Sequence, residues 1–276
     1  MMTPYALLGC VVGSLVIGAV AAAAQPEPKD ARVRAELQEL SARTLFFGHQ
    51  SVGRNILDGV KQLAAGEGVP LRVVETKGAA AGIAPKTFAH GEVPENGDPV
   101  RKLRSFEQAL TSGGPVDIAF VKFCYVDIGP GTDVAALFAE YQATMARLKA
   151  QHPATTFVHV TAPLTTLQGG WKAAVKKVLG RLPQGVVENA RREEFNALLR
   201  KAVEGKEPLF DLARAESTRP DGTPETFEWS GRRIPALVSE YSDDGGHLNG
   251  KGRLVAARRL VSVLAAVPAR DASASR

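Results

Sequence analysis

An α/β fold with a mostly parallel sheet is predicted by three observations. Apolar runs of strand length alternate with longer stretches of helical periodicity along the chain. The run Asp117-Ile118-Ala119-Phe120-Val121-Lys122-Phe123 reads as a strong strand at the centre of the sheet. The 276 residues suit one domain of this class.

The elements follow in order. Asp30 to Arg43 reads as a polar amphipathic helix. Thr44-Leu45-Phe46-Phe47 is a short strand, and Val52, Ile56, Val60 and Leu63 form a helical stripe directly after it. Leu71 to Glu75 is a second strand, followed by a Gly/Ala/Pro-rich loop from Gly78 to Pro99. Leu103, Phe106 and Leu110 mark a helix, and Asp117–Phe123 is the third strand. Val134 to Ala150 is helical, and Thr155 to Val160 is a strand ended by Ala162-Pro163. Gly169 to Arg181 suggests a lid or short helix, with Trp171 as a packing aromatic or a pocket cap. Val186 to Val203 is a longer helix, and Leu209 to Leu212 a short last strand. Residues 217–240 read as an irregular excursion, and Gly252 to Val267 as the final helix. The domain therefore spans 44–267, after a helical lead-in at 25–43 and before a disordered tail at 268–276.

Residues 5–24 carry no charge and end in Ala21-Ala22-Ala23-Ala24-Gln25, a small-residue site. This reads as a secretory signal peptide over 1–24, so an exported protein, periplasmic or secreted, is expected. An uncleaved segment would give the only membrane attachment. Leu7-Leu8-Gly9-Cys10 has the look of a lipobox but lies too early in the apolar run. Cleavage leaves Cys124 alone, which excludes an intramolecular disulfide in the mature chain. The net charge of +5 comes from scattered groups such as Lys176-Lys177, Arg191-Arg192 and Arg258-Arg259. They read as solvated helix faces, so no nucleic-acid partner is expected, and the chain is expected to be a monomer. With no zinc-type spacing, phosphate-cradling loop or dinucleotide fingerprint, no metal or organic cofactor is expected.

Chemistry points to two places. Ser51, in Phe47-Gly48-His49-Gln50-Ser51-Val52-Gly53, follows a strand and opens a helix. Its Oγ would stand at the carboxyl end of the sheet, beside the free N–H groups of a helix N-terminus. The plain alternative is a helix N-cap. Late in the chain, Asp243-Asp244-Gly245-Gly246-His247-Leu248-Asn249 sets a carboxylate three residues before a His. A hydroxyl needs a base, and a His base needs an acceptor to fix its tautomer. Asp244 fits that acceptor role, with Asp243 as its competitor.

Together these segments resemble the SGNH/GDSL hydrolase superfamily over roughly residues 44–266. The Asp244–Asn249 run is similar to that superfamily's last block, and Asp211-Leu212-Ala213 and Pro220-Asp221-Gly222 resemble its C-terminal third. The resemblance implies a flavodoxin-like three-layer sandwich with a mostly parallel five-stranded sheet. It also implies a Ser-His-Asp esterase mechanism with Ser51, His247 and Asp244 as catalytic residues. The substrate would be a small-molecule or polymer ester, such as an O-acyl group on a carbohydrate or envelope polymer.

The chain departs from the pattern twice. His49-Gln50-Ser51 stands for Gly-Asp-Ser, and Val126 in Cys124-Tyr125-Val126-Asp127 stands where an oxyanion Asn belongs. The oxyanion Gly after the second strand is Gly78 or Gly82. Asn96, Gln50, Tyr125 and Lys122 are candidates to replace the missing Asn, with Asp127 as a partner for a buried Lys122. His49 is expected to hold its loop, His90 to lie on a long loop near the cleft, and His159 to be a core His. These departures leave open a catalytically silent glycan-binding or assembly module. A metal-assisted phosphoesterase built on His49, Asp127 and His247 is a further rival.

Overall fold

Strands buried on both faces are largely apolar, and Leu45, Phe46 and Phe47 of the central strand here are so. In a computed structural model, residues 30–76, 80, 82–170 and 178–269 are described. The segment expected to be a signal peptide, Gly78 and Trp171 lie outside them. β1 (Leu45–His49) is buried at all five positions. It pairs in parallel with β3 (Phe88–Glu92) on one side and β4 (Ile118–Val121) on the other. β2 (Val73–Thr76) is the edge strand beside β3, and β5 (Thr156–Phe157) lies beside β4. The expected five-stranded parallel sheet is present, in the order β2-β3-β1-β4-β5. Val158 donates its N–H to Ala119 O, and the chain continues as β6 (His159–Val160), which pairs in parallel with β7 (Leu209–Phe210).

Helices cover both faces. α1 (Ala31–Ser41), α2 (Ser51–Glu67) and α7 (Gly250–Ala265) pack on one side, where Leu37, Ile56 and Leu260 meet Leu45, Phe47 and Phe120. α3 (Pro99–Thr111), α4 (Val134–Gln151) and α5 (Val186–Val203) pack on the other, where Phe106, Tyr141 and Phe195 meet Phe46, Ala119 and Val121. Alternate residues of β1 thus feed opposite layers, as a strand's period of two requires. α1 contributes Val33, Leu37 and Leu40 to the core. At Gly59 of α2 a Cβ would come within 2.5 Å of the Arg253 carbonyl oxygen, so α2 and α7 cross closely there.

Three expectations need correction. The loop expected from Gly78 to Pro99 contains β3, the direct neighbour of β1. Thr155 to Val160, expected as one strand, is split into β5 and β6, which pair in different sheets. The stretch 217–240 is not irregular throughout. Leu212–Ser217 forms α6, and β8 (Thr226–Trp229) and β9 (Arg232–Pro235) form an antiparallel hairpin. Its turn residues Ser230 and Gly231 both have positive φ, 50° and 71°, which matches the twist of the flanking strands.

Candidate active site

β1 ends at His49, and α2 begins two residues later at Ser51. All strands of the five-stranded sheet are parallel, so this turn sits at its carboxyl end. The loop before α7 reaches the same place. Ser242 and Leu248 close it with an antiparallel bridge. Asn249 caps α7 by accepting the N–H groups of Lys251 and Gly252. Leu248 N–H donates to Asn55 Oδ1 of α2 at 3.1 Å, which ties the loop beside Ser51.

The three sequence-predicted residues form one hydrogen-bonded line. His247 Nε2 lies 3.0 Å from Ser51 Oγ, and His247 Nδ1 lies 2.6 Å from Asp244 Oδ2. A carboxylate only accepts, so Nδ1 carries the proton and Nε2 offers its lone pair to the Ser51 hydroxyl. The second Asp244 oxygen accepts the N–H groups of Gly246 at 2.9 Å and His247 at 2.8 Å. Desolvation works to raise the Asp244 carboxyl. The hydrogen bonds from Gly246 N–H, the His247 ring and His247 N–H outweigh it and hold it well below the usual carboxylate range. Asp243 is occupied elsewhere, accepting from Asn249 Nδ2 at 2.9 Å.

Around this line the other predicted residues take distinct places. Gln50 spends one amide N–H on Val93 O at 2.6 Å, tying the Ser51 turn to the segment after β3. Asn96 lies in that segment, and its Oδ1 accepts from Lys102 Nζ at 2.8 Å. Gly82 does not reach the site. Its neighbour Ala80 is bonded to the C-terminal end of α3, and Lys86 donates to Thr44 just before β1. Both anchors lie at the amino end of the sheet, opposite Ser51. The expectation places the glycine after β2, but the strand beside β1 on that side is β3.

Lys122 is fully buried and donates to Phe123 O at 2.8 Å, so it is not open to a substrate. Its expected partner Asp127 is held instead by Lys102 Nζ, at 2.8 and 2.6 Å, with both side chains fully buried. Asp127 also accepts the N–H of Cys124 at 2.5 Å and of Gly97 at 2.8 Å. One carboxylate therefore joins the loops after β3 and β4, the two that flank the Ser51 turn. Sequence reasoning missed Lys102. The signal was its position one turn before Phe106, on the apolar face of α3.

His49 and His90 are both buried, and His49 Nε2 lies 3.0 Å from His90 Nδ1. His90 sits in β3, not on a loop, and His49 holds the turn as expected. With His49 bonded to Gln50 O and Asp127 to Lys102, these two are committed away from His247 and do not share a metal site with it. His159 is a core His, bonded to Tyr141 Oη at 2.7 Å and Glu207 at 3.0 Å.

A buried carboxyl lies near Lys122. Glu216 accepts Leu164 N–H through Oε2 at 2.7 Å, while its Oε1 has no partner among the described residues. Burial pushes Glu216 up to about 8 from 4.5. The folded chain thus keeps a proton that the unfolded chain loses, and stability falls as pH rises through that window. Glu216→Gln keeps the acceptor and removes the titration. Its thermal midpoint should match wild type near pH 4.5 and exceed it increasingly up to pH 8. A lower midpoint at pH 8 would mean that the ionised carboxylate is the stabilising form.

A cavity of about 590 Å³ opens beside the Asp244 loop, lined in part by Tyr125, Thr166, Gln168, Glu188 and Arg192. The Tyr125 ring stands edge-on to His247, centroids 5.6 Å apart. Gly246 permits this approach, since a Cβ there would meet Tyr125 Cζ at 2.9 Å. Arg192 holds the loop from behind, donating to Tyr125 O at 2.8 Å and Thr165 Oγ1 at 2.9 Å.

The architecture matches solved structures. A Streptococcus pneumonia protein named for a proposed platelet activating factor role aligns at a TM-score of 0.50 and 15% identity, covering 84% of this chain and 91% of that one. A Bacteroides fragilis protein named for a proposed acylhydrolase activity aligns at 0.50 and 14%, covering 85% and 95%. The chain shares the α/β fold of these structures. At these identities the likeness is one of fold. No protein-family model and no curated protein sequence matches the chain. Among the described residues, no helix is long and apolar enough to cross a membrane.

Proposed function

We propose that this SGNH-like chain is an exported serine esterase. The observation that carries the reading is the unbroken line Ser51 Oγ, His247, Asp244 at 3.0 and 2.6 Å. Ser51 Oγ attacks the ester carbonyl while His247 Nε2 takes its proton. Asp244 holds the ring in that tautomer and stabilises the imidazolium that forms. His247 then gives the proton to the leaving alkoxide, and water, deprotonated by the same nitrogen, releases the acid from Ser51.

The charge on the carbonyl oxygen needs donors fixed in advance. Ser51 N–H, in the first turn of α2, has no helical partner and is the first of them. Val126 has no side-chain donor, but its backbone N–H is unengaged among the described residues, and the amides of Asn96 and Gln50 each retain a free N–H. The mixed polar lining of the cavity suits a hydroxylated alcohol such as an O-acylated carbohydrate better than a long acyl chain. Purified protein should therefore release acetate from p-nitrophenyl acetate and from an O-acetylated polysaccharide. If it turned over neither ester but bound the polysaccharide, the silent binding module would be the correct reading.

Export is part of the proposal, supported by the uncharged run and the Ala21–Ala24 site. N-terminal sequencing of protein recovered from the host envelope or medium should begin at or near Gln25. A chain retaining Met1 in the membrane fraction would favour an uncleaved anchor.

A further inference from the structure

The nucleophile turn carries a buried imidazole pair that the triad does not use. His49 Nδ1 lies 2.9 Å from Gln50 O, and His49 Nε2 lies 3.0 Å from His90 Nδ1. A carbonyl oxygen only accepts, so His49 Nδ1 carries a proton. The neutral ring then has a lone pair on Nε2, and His90 Nδ1 must donate to it. Each ring fixes the tautomer of the next. Burial lowers His49 to about 3, and it also lowers His90, so neutral rings are the resident forms above mildly acid pH. The charged groups around the pair are Lys122 just after β4, Arg54, Asp58 and Lys61 from α2, and Glu75 from β2.

The oxygen that receives this bond matters. Gln50 O already accepts Gly53 N–H at 2.8 Å and Arg54 N–H at 3.4 Å, the first bonds of α2. It belongs to the same planar peptide as Ser51 N–H, and in a trans peptide the two groups point in opposite directions. Fixing the oxygen therefore aims the N–H, and each donor to the oxygen polarises the N–H further. Gly53 is required for the arrangement. A Cβ there would lie 2.3 Å from His49 Cβ and 2.7 Å from Nδ1.

We infer that His49 and His90 are positioning residues that aim and polarise Ser51 N–H as an oxyanion donor. This rests on the serine-esterase reading, and it accounts for His49-Gln50 in place of the Gly-Asp of the resembled motif. The pair acts on a donor used in the transition state, so its loss lowers kcat and leaves KM unchanged.

The test uses the full chain and p-nitrophenyl acetate, with thermal melts to confirm folding. His49→Phe and His90→Phe keep the ring volume and remove the donors. Each should lower kcat on the order of 10-fold, less than the roughly 10²–10³ that loss of a whole oxyanion donor costs, at unchanged KM. His49→Asn and His90→Asn place an amide N–H where Nδ1 stood and should recover most of the rate. The double Phe variant should be no slower than the worse single one, because both act through one peptide. If His49→Phe does not fold, His90→Phe and the ¹⁵N imidazole spectrum of wild type decide the matter. Both rings should be protonated at Nδ1. An Nε2-protonated His49, or folded Phe variants with wild-type kcat, would overturn this inference while leaving the esterase reading intact. A wild-type chain with no Ser51-dependent turnover would overturn both.

Discussion

Ser51→Ala and His247→Ala should each abolish nearly all ester hydrolysis, with kcat falling by on the order of 10³–10⁶. The two losses should be comparable, and the double variant little worse than either. Ser51 without a base within hydrogen-bond reach is a weak nucleophile, and His247 without a hydroxyl at 3.0 Å has nothing to activate. Asp244→Asn should cost less. It keeps an acceptor for the Gly246 and His247 N–H groups, so the loop survives, but it no longer selects the Nδ1–H tautomer. Asp243→Asn should be nearly silent, since Asp243 bonds Asn249 and not His247. Steady-state kinetics on purified variants reads all five. A Ser51→Ala protein that kept most of its activity would contradict the mechanism.

The largest expected loss of stability comes from the buried Lys102–Asp127 pair. Both side chains are fully buried, and Asp127 receives four hydrogen bonds, two from Lys102 and one each from Cys124 N–H and Gly97 N–H. Lys102→Met leaves the carboxylate uncompensated and should cost about 3–5 kcal/mol in urea unfolding. That is a large part of the ~5–15 kcal/mol by which ordinary domains are stable. Lys102→Met with Asp127→Asn removes both charges and keeps an acceptor for the two loops. It should cost clearly less than the sum of the single changes. Additive losses would show that the pair's value lies in separate contacts and not in mutual neutralisation.

Much of this molecule was readable in advance, for identifiable reasons. The apolar runs of β1 and β4 announce strands buried on both faces, and Val52, Ile56, Val60 and Leu63 place α2 directly behind β1. Those two facts put Ser51 at the sheet's carboxyl end, and the spacing of Asp244 and His247 lets one short loop supply base and orienter. β3 was hidden because its buried faces are filled by Ala89, His90 and Gly91, which carry no β-type signal, and because Pro85 and Pro94 bracket it. Without β3 the expected oxyanion glycine falls after β2, at Gly78 or Gly82, and Gly82 lies toward the amino end of the sheet. The β8–β9 hairpin was legible from Thr226-Phe227-Glu228-Trp229 alternation before Ser230-Gly231, but its many polar residues masked it. The exchange of Lys122 for Lys102 as the partner of Asp127 depends on which cation the loops fold over, a tertiary fact that no local pattern holds.

Covalent capture of the nucleophile tests the central claim most directly. Intact protein treated with a fluorophosphonate should gain one phosphonyl group, since Ser51 Oγ displaces fluoride with its proton passing to His247. Peptide mapping should locate the group on Ser51, and both Ser51→Ala and His247→Ala should fail to label under the same conditions. An unmodified wild-type protein, or an adduct on any residue other than Ser51, would contradict the account.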